Sequence, residues 1–264
     1  MKIAIIGAGN MGGALARGLA QGSLIAPSDI YVANPSTTKL TKLKEDFPDI
    51  RTTTDNRMAV AGADVIVLAV KPWKLKEVAD EIKDSLDYSS QAVASMAGGV
   101  STAEITELFL RSDGSVPPVY HIIPNTAIAV RSGMTFITSV RSTPELDARL
   151  LAMFKELGDA MLVEERLLNS GMALASCGIA YVMRYIRAMT EGGVELGFYA
   201  EDAKRIVMQT MLGAVNLLEA SGSHPEAEID RVTTPGGITI KGLNAMEEAG
   251  FTASVVKGLR ASKR

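Results

Sequence analysis

Ile3-Ala4-Ile5-Ile6 runs without a polar residue into Gly7-Ala8-Gly9-Asn10-Met11-Gly12, and a helical pattern over Met11–Ala20 follows at once. A strand that is apolar at every position needs cover on both faces, which is the situation of an inner strand in a parallel sheet. In that context the G-x-G-x-x-G spacing has a mechanical meaning; alone it would carry little, since 24 glycines produce it by chance elsewhere. Gly7 permits a tight turn, Gly9 opens the backbone to a pyrophosphate, and Gly12 lets helix and strand pack closely. The helix start adds N–H groups and positive potential. Ile6 through Gly12 are therefore expected to cradle a dinucleotide.

The alternation continues through DIYVAN, ADVIVLAV, QAVASMA, VYHII and MTFIT, each an expected strand, with helical patterns between them. Such alternation predicts a parallel sheet covered on both faces. From about Leu162 the strand patterns stop, and Leu167–Leu196 and Asp202–Ala220 read as long helices, with a third helical part near the end. The expected fold is an α/β Rossmann-type dinucleotide-binding domain (residues 1–161) followed by an all-α dimerisation domain (residues 162–264). The stretch RIVMQTMLGAVNLL is apolar on more than one face of its helix. That pattern needs cover on several sides, so a second subunit is expected against it.

Composition narrows the partners. A net charge of −3 offers no general attraction to nucleic acid or to anionic lipid. The most apolar late segment, Met172–Val182, is soon interrupted by Arg184, Arg187 and Glu191, too early for a membrane span. Met1 leads directly into the first strand with no signal-like region, and the single Cys177 forms no intrachain disulfide; both favour the reducing cytoplasm. Two histidines and one cysteine give no metal-ligand cluster, so no metal site is expected.

The second strand bears on which dinucleotide fits. About twenty residues past the fingerprint an NAD site usually carries Asp or Glu, to accept from the ribose hydroxyl. Here Asn34 stands there, followed by Ser36, Thr37 and Lys39. Asn34 does not repel a 2′-phosphate, and the next three residues suit one, so NADPH is expected ahead of NADH. Two further strand ends, Ala69-Val70-Lys71-Pro72 and Ser95-Met96-Ala97, put small residues or proline where a nicotinamide ring would lie. Lys71 is read as solvated or a ribose contact in preference to a base, and Trp73 as cover for sheet or loop surface. Near the other end, RVTTPGGITIKGL sets threonine hydroxyls and glycine amides at a helix start, an arrangement that receives an anion.

Taken in order along the chain, GAGNMG, LAVKPW, IPNTA, the helix around SCGIAYV and VTTPGGITIKGL resemble pyrroline-5-carboxylate reductase. The resemblance implies reduction of the cyclic imine 1-pyrroline-5-carboxylate to L-proline by NAD(P)H, in dimers that interlock through the helical domain and that also build larger rings. By the same resemblance Asn56 contacts the adenosine end, and the strand ends just named face the nicotinamide. Thr234 and the amides of Gly236, Gly237 and Ile238 would hold the substrate carboxylate, and Thr239 would bond the ring nitrogen.

The chain departs from the family pattern in two places. Arginine is replaced by His121, and the second proline of M-P-N-T-P by Ala127. In S-G-S-G-P-A-Y a glycine and a proline are lost, giving Ala175-Ser176-Cys177-Gly178-Ile179, which predicts a more regular helix, with Cys177 a small buried residue. His121 is read as a structural polar residue and His224 as a turn or cap. The junction helix lacks the lysine that related hydroxyacid dehydrogenases carry, so alcohol oxidation is disfavoured. A protonated imine asks for less, because hydride addition discharges its charge. Two other readings stay open on the residues alone: a reductase of the same architecture for another small imine or carbonyl acid, and a non-enzymatic dinucleotide-binding sensor.

Overall fold

The computed structural model describes residues 1–263. Its strands are β1 (Ile3–Ile6), β2 (Ile30–Ala33), β3 (Arg51–Thr53), β4 (Val65–Leu68), β5 (Ala92–Ser95), β6 (Val119–Pro124), β7 (Gly133–Val140) and β8 (Gly158–Leu162). They form an eight-stranded sheet in the order β3-β2-β1-β4-β5-β6-β7-β8. All the expected strands are present. β3 and β8 were not expected from the sequence, and the expectation of a wholly parallel sheet fails at β6–β7, which pair antiparallel. The reason is the connection: Asn125–Ser132 is too short for a crossover and allows only a reversal.

Seven helices accompany the sheet: α1 (Asn10–Ala20), α2 (Thr37–Asp46), α3 (Asn56–Val60), α4 (Leu75–Ile82), α5 (Thr102–Leu108), α6 (Pro144–Lys155) and α7 (Glu165–Gly171). The all-apolar β1 is explained by the two cores it serves. Ile3 and Ile5 join Leu15, Leu19, Leu43 and Phe154 on one face, while Ala4 and Ile6 join Val78, Ile82, Ile105 and Phe109 on the other. Each fully buried isoleucine contributes about 1.5–3 kcal/mol, and a polar residue at any of the four positions would be stranded.

The chain divides into two compact units, Met1–Ser176 and Cys177–Ser262. A π-helical turn, Met172–Cys177, follows α7. This corrects the expectation of a more regular helix. Ser176 Oγ donates to Pro124 O at 2.8 Å, and Asn125 Nδ2 reaches Ala175 O at 3.5 Å. These tethers to the end of β6 coincide with the widened turn, a feature that often marks functional segments. Cys177 is half-exposed, not buried.

The second unit holds α8 (Gly178–Glu195), α9 (Ala200–Ser221), α10 (Pro225–Val232), α11 (Ile238–Glu248) and α12 (Phe251–Ser262). α8 and α9 approach so closely that a Cβ on Gly193 would lie 2.8 Å from Ala203 Cβ. His224 caps α10, its Nδ1 accepting from Glu226 N–H at 3.2 Å, in keeping with the turn-or-cap reading. α8, α10, α11 and α12 contain no buried residue, and α9 contains only Ala203 and Val207.

Candidate active site

β1 ends at the point where strand order reverses, between β2 and β4, so the loop after Ile6 opens at the carboxyl edge of the sheet. Gly7 has φ +107°, and its N–H donates to Ala33 O at 2.7 Å. A Cβ at Gly7 would lie 2.6 Å from Ala69 O, and one at Gly12 only 1.8 Å from Gly7 O. Gly9 differs: a Cβ there would meet nothing within 4 Å. The fold itself therefore requires Gly7 and Gly12, whereas the space over Gly9 is open to a ligand. α1 starts beside that space with no side-chain cap and no acidic residue in its first turn. A pyrophosphate fits such a start on charge and on free N–H groups.

Asn34 is buried and its amide is committed to the protein. Oδ1 accepts from Ala8 N–H at 2.9 Å, and Nδ2 donates to Ser36 O at 3.0 Å. It ties the end of β2 to the fingerprint loop. Ser36, Thr37 and Lys39 are exposed at the start of α2, and the Ser36 hydroxyl makes no capping bond. Between α1 and α2 lies a cleft of about 180 Å³, lined by Ala8, Gly9, Asn10, Gly13, Arg17, Lys39, Lys42 and Leu43. Arg17 and Lys42 were missed in the sequence, where each is one more cation on a helix. Only the pairing of α1 with α2 brings them beside the fingerprint.

The other strand ends are placed as follows. Ala69 N–H donates to Ile6 O at 2.9 Å, and the half-buried Val70 follows it. Lys71 and Pro72 are exposed. Trp73 is 75% exposed, so it does not cover the sheet as expected. Ser95 and Ala97 are buried, Met96 partly so, with Met96 N–H donating to Leu68 O at 3.0 Å. Asn56 opens α3 and donates from Nδ2 to Glu81 at 2.7 Å, which leaves its Oδ1 free among the described residues. A larger cleft of about 480 Å³ runs from Pro72 to Leu108 between α4 and α5. Its lysines, Lys76 and Lys83, are already paired with Asp80 at 2.6 and 2.9 Å. It holds none of the fingerprint residues, so the smaller cleft is the one that suits the phosphates of a dinucleotide.

In the second unit the segment between α10 and α11 turns sharply. Gly237 N–H donates to Thr234 O at 2.9 Å across Pro235 and Gly236, whose φ is +72°. Proline second and a left-handed glycine third is type II turn chemistry. The Gly237 amide is thereby used inside the turn. The amides of Gly236 and Ile238, and the hydroxyls of Thr234 and Thr239, have no intrachain partner among the described residues. A Cβ on Gly237 would lie 2.6 Å from Thr234 Oγ1, so only glycine leaves that hydroxyl its place. α11 begins with no side-chain cap and no acid in its first turn.

Comparison with known proteins decides the family. A model described as pyrroline-5-carboxylate reductase dimerisation matches residues 165–264, and one described as NADP oxidoreductase, coenzyme F420-dependent, matches residues 2–98. The chain is 35% identical to pyrroline-5-carboxylate reductase 2 of Bacillus subtilis, over 97% of this chain and 90% of that protein. It belongs to the pyrroline-5-carboxylate reductase family. Pyrroline-5-carboxylate reductase 1 of Dictyostelium discoideum is 36% identical over 97% of the chain, which spans 48% of that longer relative. The crystal structure of the Plasmodium falciparum pyrroline carboxylate reductase with NADP bound superposes with a TM-score of 0.87 at 27% identity, covering 99% of this chain and 95% of that one.

Membership in the pyrroline-5-carboxylate reductase family gives the departures a physical reading. Ala127 N–H donates to Asn125 Oδ1 at 3.1 Å, a bond the family's proline would lack the hydrogen to make. His121 is buried in β6, with burial holding its pKa below the ordinary value and keeping the ring neutral. No helix among the described residues is long and apolar enough to cross a membrane.

Proposed function

We propose that this chain reduces 1-pyrroline-5-carboxylate to L-proline with NADPH, in the cytoplasm, as the last step of proline formation. The observation that carries this reading is the turn at 234–239. It presents two hydroxyls and two unused amides at an acid-free helix start, in a chain whose other unit carries a dinucleotide cradle. NADPH, when bound, supplies the hydride. Ala8–Gly12 and the start of α1 hold its pyrophosphate, and Asn34 keeps that loop in shape. Ser36, with Lys39, Lys42 and Arg17 nearby, receives the 2′-phosphate. Asn56 meets the adenosine end, and Ala69–Pro72 with Ser95–Ala97 border the nicotinamide.

Thr234 Oγ1 and the N–H groups of Gly236 and Ile238 bind the substrate carboxylate. The Gly237 amide, being used within the turn, acts by fixing the other two. Thr239 Oγ1 orients the ring nitrogen. No strong acid or base is required, because the iminium carries its positive charge in and loses it on hydride addition. Positioning then supplies most of the rate.

The test is turnover of pyrroline-5-carboxylate by the purified chain with each nicotinamide cofactor. Proline formation is expected with both, with kcat/KM for NADPH at least about tenfold above that for NADH. No NADPH-dependent turnover would remove the assignment, and equal efficiencies would remove the phosphate site.

The functional division is taken as residues 1–161 for cofactor binding and 162–264 for dimerisation and substrate. Leu212, Val215, Leu217, Val182 and Met183 are all exposed on α8 and α9, which have almost no buried residues. Helices so apolar are unstable in water without cover, and a second copy of the chain supplies it. Light scattering at micromolar concentration is expected to give at least twice the chain mass of 28.0 kDa; a uniform monomer would contradict the dimer.

A further inference from the structure

Three backbone groups just past β5 are tied down. Met96 N–H donates to Leu68 O, Ala97 N–H donates to Ser95 Oγ at 3.2 Å, and His121 Nε2 lies 2.9 Å from Ala97 O. A carbonyl only accepts, so Nε2 carries the ring hydrogen and Nδ1 is bare. Nδ1 is buried and has no partner among the described residues, and the whole side chain is 4% exposed. Its neighbours in register, Ser95 on β5 and Thr138 on β7, carry no charge. The charged group on the packing helix, Glu165 of α7, is occupied by Thr102, whose N–H and Oγ1 donate to it at 2.6 and 2.8 Å. An imidazole so enclosed exchanges no proton with a substrate. Its one outward act is to hold the Ala97 carbonyl.

We infer that His121 is a positioning residue whose neutral Nε2–H clamps Ala97 O and so sets the shape of the Ser95–Gly98 segment against the cofactor. The inference rests on reading Ser95–Ala97 as the nicotinamide side. Beyond the clamp, Gly98 has little room, since a Cβ on it would lie 3.3 Å from Met172 Sδ. The segment is thus tied to the sheet on one side and has Met172 of the π turn close by on the other.

The test compares the full-length wild type with His121→Gln and His121→Leu, measuring steady-state kinetics, the NADPH dissociation constant and Tm. His121→Gln keeps an N–H donor of similar reach and should stay within about threefold of wild type in kcat/KM for NADPH. His121→Leu should lower kcat/KM for NADPH at least about tenfold while the substrate KM stays within about twofold. A merely structural role would move Tm and both KM values together. A leucine variant with wild-type NADPH kinetics, or a glutamine variant as impaired as leucine, would overturn the inference. If the leucine variant fails to fold, Ser95→Ala removes the other tie on Ala97 and should show the same selective loss; normal NADPH kinetics there would count equally against it. Wild-type protein that binds NADPH but does not turn over pyrroline-5-carboxylate would fail the substrate reading instead, and the NADPH dissociation constants would still decide on the clamp.

Discussion

Gly12→Ala is expected to abolish tight NADPH binding and to lower activity at least about a hundredfold, with a loss of stability of about 1–3 kcal/mol or more. The added carbon would sit 1.8 Å from Gly7 O, 2.9 Å from Ala69 Cβ and 3.0 Å from Gly7 C. None of these is the free end of a flexible side chain. Gly7 cannot step aside, because its N–H is bonded to Ala33 O and its own α-carbon faces Ala69 O. Relief must come from moving the whole of α1 off β1, which opens the core around Leu15 and Leu19 and displaces the helix start from the phosphate. Gly9→Ala is the matched control. A Cβ there touches nothing, and with φ −72° and ψ −167° the backbone suits any residue. Its Tm should remain at the wild-type value while NADPH binding weakens, because the methyl group fills space meant for ligand. Tm and NADPH titration on both variants check the pair. A stable Gly12→Ala enzyme with normal affinity, or a Gly9→Ala enzyme that unfolds early, would show that the two glycines have been assigned the wrong jobs.

How much of this was legible in the sequence depends on the range of each interaction. β1, its glycine loop and α1 were readable because strand pattern, turn chemistry and helix pattern are all local and agree. β3 was not, since Arg51-Thr52-Thr53 is a short polar strand at the sheet edge with no apolar run to announce it. β8, Gly158-Asp159-Ala160-Met161-Leu162, buries only Ala160 and likewise lacks the pattern. The antiparallel pairing of β7 is set by the length of the preceding connection, which strand composition does not reveal. The cations Arg17 and Lys42 belong to helices that meet only in three dimensions. The hold of His121 on Ala97 requires the register of β5 against β6. The use of the Gly237 amide within its own turn, by contrast, could have been read from Thr-Pro-Gly-Gly, because a type II turn closes with the fourth residue's N–H on the first residue's carbonyl.

The second large effect falls at the other end of the chain. Thr239→Ala is expected to lower kcat at least about tenfold, about 1.4 kcal/mol in the barrier, with NADPH affinity unchanged. Thr239 is exposed on the first turn of α11, and its hydroxyl has no intrachain partner among the described residues. Removing it therefore breaks no bond of the folded protein. Alanine is also the better helix former by a few tenths of a kcal/mol, so Tm should hold or rise. Slower turnover then cannot be attributed to unfolding. In the proposed site the hydroxyl would bond the ring nitrogen, whose charge changes between substrate and transition state, so the effect should fall on kcat. Thr234→Ala would remove the proposed hydrogen bond to the carboxylate, whose charge is the same throughout, and should act chiefly on the substrate KM. Thr239→Ser restores the hydroxyl and should recover most of the rate. Steady-state kinetics on the three variants separate these roles. Full turnover in Thr239→Ala would take Thr239 out of the mechanism, and a serine variant as slow as alanine would show that the methyl group, not the hydroxyl, is what the site uses.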